Sequence, residues 1–466
     1  MVYLKKLLLL NSIQNIIVII SFSILIYKWP NTTGEDIQNA RINYLSNFRN
    51  DFWGPVCSFI YGNFPDILFG WQTNLFLVQL LLSTFFILKI YVMWFPIPLK
   101  NVSIFYLTFS YFSLNFATTM TRDGLMFTLL LVAIYYSIKI NLYEKYHVLN
   151  SSISIVFFIL AFSIRPWMAV SCLFLIRYFF LINRSRSDVK FIRRFVGVFL
   201  VGSFFALTPY LLNVAIFNSL NFTRSYPEQQ VILMDLSSTY CWSTNRETVL
   251  KAKSTLIYFY ENNELPLDFC SQFRPNTWIW LSKDPNPFGT LTSTTKLKTI
   301  DVSSDANFEE IRFNWLKIIW TDPSTYLQIK LMQSSQLFIG GESFALSIFH
   351  QDTRDLSFFS NSKLFIYICD VLRLPWDLAI SLHGLSYCIL FIFFVYLIFS
   401  SFQITYFRNS VISAKLLTII FFSAAWFILT TIAFIGDNGR YLYTGTILTY
   451  LLLTKYIFDN KIGLND

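Results

Sequence analysis

The sequence predicts an all-α polytopic membrane protein of about 10 (8–13) transmembrane helices with an extracytoplasmic loop domain. Three observations carry that expectation: few charges, long unbroken apolar runs, and lysines and arginines concentrated in alternate short connections. Hydrophobic residues make up 55% of the 466 and charged residues 14%, whereas ordinary soluble domains are roughly a quarter charged.

The first run, Leu7 to Tyr27, is interrupted only by Asn11, Ser12, Gln14, Asn15, Ser21 and Ser23. A helix needs roughly twenty such residues to cross a bilayer core. Lys5 and Lys6 precede it, as in a signal peptide, but no small-residue cleavage site follows. A retained span is therefore expected. The connection that follows, 28–71, is too long for a turn. Within it Asp36–Leu45 is apolar at 37, 40, 42 and 44–45, which fits a short surface helix capped by Thr33 with Asp36 in capping-box position. Gly54-Pro55 and Gly62-Asn63-Phe64-Pro65 then break the chain.

Further apolar runs recur near 72–94, 102–120, 124–140, 150–164, 167–183 and 195–216. A long polar insertion interrupts the series. Its clearest helix is Asn307–Trp320, with Phe308, Ile311, Trp315, Ile318 and Ile319 on one stripe and Glu309, Glu310, Asn314 and Lys317 on another. Asp322-Pro323 ends that helix, and a second apolar helical stretch runs to about Phe338. Two placements fit the stripe: the headgroup plane of the membrane or the core of a packed subdomain. The runs resume near 378–401, 413–435 and 441–457. The chain thus divides into an N-terminal transmembrane module with an acidic first outer loop (1–216), an extracytoplasmic insertion (217–377) and C-terminal transmembrane helices (378–466).

Orientation follows from the cations. Lys5, Lys6, Lys100, Lys139, Lys145, Arg184, Arg186, Lys190, Arg193, Arg194, Arg408, Lys415 and Lys461 fall on one side if the runs alternate, and the short opposite connections hold Arg122, Arg165 and Arg440. The N-terminus is expected in the cytoplasm. The abundance of Ile, Phe, Asn and Ser fits an AT-rich bacterial genome, so a bacterial plasma membrane is expected and the sequons at Asn31 and Asn221 are uninformative. The net charge of +9 reflects topology and lipid headgroups rather than nucleic acid, for which no basic module with stacking aromatics is present.

Of six cysteines, Cys57, Cys241 and Cys270 fall on the outer side, where Cys241 and Cys270 are close enough in the insertion to be candidates for a disulfide. The three histidines, His147, His350 and His383, are scattered and there is no Cys-x-x-Cys. That pattern argues against a cysteine- or histidine-rich metal centre.

The residues that can do chemistry collect on the outer face: Glu35 and Asp36, Arg122 and Asp123, Arg165, and Asp437 with Arg440. Each has a plainer explanation. Asp36 can complete a helix cap, Arg122 and Asp123 can pair locally at a helix start, Arg165-Pro166 can anchor a membrane edge, and Gly436–Tyr441 can be a tight turn. Gathered at one face between apolar runs, they favour a shared site, because charges at a membrane edge need partners and carboxylates and guanidiniums supply each other's. Such a set suits glycosyl transfer from a polyprenyl phosphate. A carboxylate takes the proton of the attacking hydroxyl, and arginines meet the charge on the departing phosphate. A second carboxylate offers a place for a divalent cation. The 51 phenylalanines are permissive for a lipid-tail groove.

At these residues the chain resembles the GT-C membrane glycosyltransferases, in the branch of protein O-mannosyltransferases and the lipid A aminoarabinose transferase. Gly34-Glu35-Asp36-Ile37-Gln38-Asn39-Ala40-Arg41 resembles that branch's acidic pair and Ala-Arg-Tyr-like segment after the first span, with the pair reversed. Thr121-Arg122-Asp123-Gly124-Leu125-Met126-Phe127 is similar to a Thr-Asp-x-x-Leu-x-Phe pattern with an inserted arginine. Ile164-Arg165-Pro166-Trp167 is similar to Lys-Gly-Pro without the glycine, and Gly439-Arg440-Tyr441 resembles an Arg-Tyr before a late span. The resemblance covers mostly residues 1 to about 210 and does not reach the insertion.

It implies a GT-C-like fold, with Asp36 or Glu35 as catalytic base and Asp123 supporting the base or binding a cation. It further implies Arg122, Arg165 and Arg440 as phosphate contacts, and Arg41 and Tyr441 in the substrate-binding set. The implied partners are a polyprenyl-phosphate-linked sugar donor, a glycan, lipid or protein acceptor, and the bilayer. Three other readings remain open. One is an O-antigen-type polymerase or ligase, which relies on arginines and a histidine in a late loop. Another is a non-enzymatic transporter or flippase for lipid-linked sugar, which tends to show two similar halves and mid-span charges. The last is a scaffold that binds a partner through Trp242, Trp278, Trp280 and Trp315.

Overall fold

A computed structural model describes residues 2–28, 35–46, 54–67, 70–95, 100–118, 121–142, 146–171, 174–175, 178–179, 191–222, 229–257, 265, 269–272, 305–339, 411–433 and 440–462. Among these the regular structure is entirely helical. In chain order, α1 (Val2–Lys28), α2 (Glu35–Leu45), α3 (Pro55–Gly62), α4 (Trp71–Trp94), α5 (Lys100–Ala117), α6 (Arg122–Leu142) and α7 (His147–Ile164) precede a 3-10 turn at Pro166–Ser171 and α8 (Phe191–Ser219). The insertion contributes α9 (Gln229–Trp242), α10 (Arg246–Leu256), α11 (Phe269–Gln272), α12 (Asp305–Thr321) and α13 (Pro323–Ile339), and α14 (Val411–Ala433) and α15 (Arg440–Ile462) follow.

Among the described residues, three helices are long and apolar enough to cross a membrane: Trp71–Trp94, Arg122–Ile140 and His147–Ile164. The apolar helical stretches Asn11–Leu25 and Val102–Ala117 are shorter. The described residues therefore make a helical membrane protein, with fewer qualifying helices than the expected number of spans. The run near 378–401, the capping residue Thr33, the cations Arg184, Arg186 and Lys190, and Trp278, Trp280 and Asp437 lie outside the described residues. The run expected from 167 begins as 3-10 helix instead of α-helix, because Pro166 removes a backbone donor and pushes Arg165 out of the helical region.

Small hydroxyls hold the membrane helices together. Lipid offers no hydrophobic drive between apolar helices, so close approach and polar contacts must supply it. Ser21 of α1 bonds Thr84 of α4 at 2.9 Å, and Ser83 of α4 lies 3.3 Å from Thr128 of α6. Ser154 of α7 meets Ser137 of α6 at 2.7 Å and donates to the Ala133 carbonyl at 2.9 Å. These levels make α4 and α6 parallel and α6 and α7 antiparallel. At the far end of α4, Lys455 of α15 donates to the Trp94 carbonyl and pairs with Asp459, while Phe95 packs edge-on against Phe458. The other surface of α4 exposes Val78, Leu81, Leu82 and Phe85, as a lipid-facing helix should.

The insertion has its own core, made by Ile232, Met234 and Leu236 of α9, Ala252 and Leu256 of α10, Phe269, and Phe308, Ile311 and Ile318 of α12. The stripe read from the sequence on α12 is thus buried in protein, which decides for the packed subdomain at that face. Asn245 caps α10 by accepting from the Glu247 and Thr248 amides. Cys241 and Cys270 form the candidate disulfide, which ties the end of α9 to α11.

Candidate active site

The site is built where α6 starts and α7 ends. Thr121 caps α6 by accepting the Gly124 amide on its hydroxyl at 3.3 Å, which places Asp123 in the first turn. Pro166 stops α7 one residue after Ile164, so Arg165 leaves the helix (φ −135°, ψ 76°). Its guanidinium turns into the bundle and binds Asp123 bidentately, Nε to Oδ1 and Nη2 to Oδ2, each at 2.9 Å. Both residues are 2% exposed. A buried ion pair of this kind is seldom a net gain over apolar side chains of equal size. Stability alone therefore does not account for it.

The connection between α1 and α4 closes over the same end. The Tyr61 hydroxyl of α3 reaches the Thr121 carbonyl at 3.4 Å. Arg41 of α2 donates through Nη1 to the carbonyls of Tyr61 and Phe64, at 3.0 and 2.8 Å, and lies 4.7 Å from the Trp71 ring centroid. Expected as a substrate contact, Arg41 is in the structure the clamp between α2, α3 and the start of α4. Gly62 is the close approach between α2 and α3, since a Cβ there would stand 1.9 Å from the Tyr44 ring. From α8, Asn213 accepts the Val56 amide at 3.2 Å and donates to the carbonyls of Ser163 and Pro209 at 2.8 and 2.9 Å.

The other expected residues hold matching positions in the chain. Glu35 and Asp36 open α2, half-buried Arg122 opens α6 beside Asp123, and Arg440 and Tyr441 open α15. The side chains of Glu35, Asp36, Arg440 and Tyr441 are outside the described residues, as is Asp437. The structure thus brings Asp123 and Arg165 together beneath the loop that carries Glu35, Asp36 and Arg41.

Among the described residues no three of His, Cys, Asp or Glu gather, and both Asp123 oxygens accept from Arg165. The other carboxylates expected at the site, Glu35, Asp36 and Asp437, have side chains outside the described residues.

A second buried ion pair was not foreseen. In the insertion, Lys330 of α13 lies 2.7 Å from Asp235 of α9, the two side chains 3% and 1% exposed. The other carboxylate oxygen accepts from Trp315 Nε1 at 3.2 Å and the Tyr326 hydroxyl at 3.1 Å. Burial first, and then the Asp235 charge, push the Tyr326 phenol above its usual range. No sequence signal marked this group beyond the polar residues that interrupt two apolar stripes.

Comparison with known proteins returned no match: no family model, no curated protein and no solved structure.

Proposed function

We propose that this chain is an integral-membrane glycosyltransferase, GT-C-like, that moves a sugar from a polyprenyl-phosphate donor to an acceptor on the extracytoplasmic face. The setting is cell-envelope polysaccharide or glycoconjugate synthesis in a bacterial plasma membrane, with about ten spans and the N-terminus in the cytoplasm. The observation that carries the reading is the buried bidentate pair of Asp123 and Arg165, set beneath a loop whose first helix, α2, begins with Glu35 and Asp36.

In this reading Asp36 or Glu35 removes the proton from the acceptor hydroxyl as its oxygen bonds the anomeric carbon. The bond from that carbon to the phosphate oxygen breaks, and the polyprenyl phosphate departs with the electron pair. Arg122 and Arg440 answer the charge that develops on the phosphate. Asp123 is a positioning residue: it fixes the Arg165 guanidinium by two hydrogen bonds, so that the Arg165 charge faces the same phosphate. No step passes through a metal.

The test measures sugar transfer by full-length protein in vesicles containing polyprenyl-phosphate sugars extracted from cells that lack the gene. Asp36→Asn, Glu35→Gln and the double variant are compared at equal protein level. The base should cost about 10²–10⁴-fold in rate. Full transfer by the double variant would end the proposal, and lipid-linked sugar that crosses the bilayer unchanged would favour a transporter.

A further inference from the structure

The insertion presents a second apolar surface, opposite the stripe buried in its core. On α12, Phe313, Leu316 and Trp320 are 65%, 40% and 84% exposed, and on α13 Leu327 and Leu331 are 61% and 49% exposed. Spacings of three and four residues put each set on one face of its helix. The two faces point the same way, because α12 and α13 turn their opposite faces to α9: Trp315 and Tyr326 donate to the same oxygen of Asp235. The intervening exposed residues include Lys317, Pro323, Ser324 and Gln328, with no carboxylate among them.

We infer that this face rests in the headgroup–acyl boundary of the protein's own bilayer, with Phe313, Leu316, Trp320, Leu327 and Leu331 inserted and Lys317 at the phosphates. Three things select lipid as the occupant. First, α13 packs against α14, a 23-residue helix of apolar sequence, so the face belongs to a helix that rests on a long apolar one. Second, a tryptophan flanked by leucines and one lysine is the chemistry of an interfacial helix. Third, no exposed carboxylate lies between Phe313 and Leu331, and Glu309, one turn before Phe313, is paired with Arg312, which limits repulsion from anionic headgroups. The inference depends on membrane residence and not on the proposed transferase activity. Its consequence is that the Asp235 and Lys330 pair is held at the level of the lipid headgroups.

The experiment uses full-length protein in vesicles of phosphatidylcholine and phosphatidylglycerol whose acyl chains are brominated near the headgroup. The contribution of Trp320 is the difference in emission between the unaltered protein and Trp320→Phe. Bromolipid should quench that contribution by about twofold or more and aqueous iodide should leave it nearly unchanged, as for an inserted indole. Leu327→Glu with Leu331→Glu should reverse both results. Quenching of Trp320 by iodide and not by bromolipid overturns the inference. Protection from both quenchers overturns it too, and cross-linking through position 320 would then identify a second copy of the chain or another protein as the cover.

Discussion

Among the described residues, the membrane bundle and the insertion each bury an acid–base pair, and they satisfy it differently. In the bundle, Arg165 covers both oxygens of Asp123 with one planar fork, so two residues from adjacent helices complete the contact. In the insertion, Lys330 reaches one oxygen of Asp235 as a point charge, and Trp315 and Tyr326 take the other. The insertion pair is therefore a junction of α9, α12 and α13, while the bundle pair joins the start of α6 to the end of α7. A four-residue junction has an evident structural use, since it sets how three helices meet. In the bundle, Ser137, Ser154 and the Ala133 carbonyl also hold α6 against α7, and Ser137 lies about four turns along α6 from Asp123. This contrast supports the proposed role of Asp123 as the residue that positions Arg165.

The sharpest way to break the comparison is to remove one charge at a time. Arg165→Met and Lys330→Met each strand a buried carboxylate and should each cost about 3–5 kcal/mol, read from thermal unfolding in detergent. The apolar doubles Asp123→Leu/Arg165→Met and Asp235→Leu/Lys330→Met should recover most of that loss. Transfer separates them: the insertion double should keep it and the bundle double should lose it. Equal activity in both doubles would erase the distinction.

Next in size is the disulfide, which belongs to the insertion alone. Cys241 and Cys270 are 29 residues apart, and opening a loop of that length should cost about 3–4 kcal/mol. Hydrogen exchange of Cys241→Ser should show loosening of α9 to α12, with α4 to α7 unchanged. Loosening throughout would mean that the two regions unfold as one.

The smallest effect tests the bundle alone. Gly445 of α15 has no room for a side chain, since a Cβ would lie 2.4 Å from Cγ of the fully buried Trp426 on α14. Gly445→Ala should cost about 1–3 kcal/mol through overpacking, and Gly445→Ala with Trp426→Leu should recover part of it. An unchanged melting temperature for Gly445→Ala would show that α14 and α15 are not packed against each other as described.

What the sequence revealed depended on how far apart the interacting residues are. Period and breakers placed α4, α6, α7 and α12 to within a few residues, because apolar runs, Asp322-Pro323 and Arg165-Pro166 act locally. The buried stripe of α12 was legible for the same reason. The opposite apolar face was not, since Phe313, Leu316 and Trp320 had no role while one stripe sufficed. At the site, Asp123 read naturally with its neighbour Arg122. Consecutive residues leave a helix roughly 100° apart, however, and the bidentate partner is Arg165, 42 positions later. Arg41 was legible as a residue of interest and not as a clamp, because its acceptors are backbone carbonyls, which any sequence supplies. Asp235 and Lys330 were invisible, lying on separate helices joined by most of the insertion.

Asn213 gives this architecture a built-in reporter. Its one amide group ties the Val56 N–H, at the head of α3, to carbonyls on α7 and α8. The Val56 proton can exchange with deuterium only when that three-way knot comes loose. A single backbone signal, followed over time in heavy water, would therefore record every opening of the outer loop against the bundle beneath it.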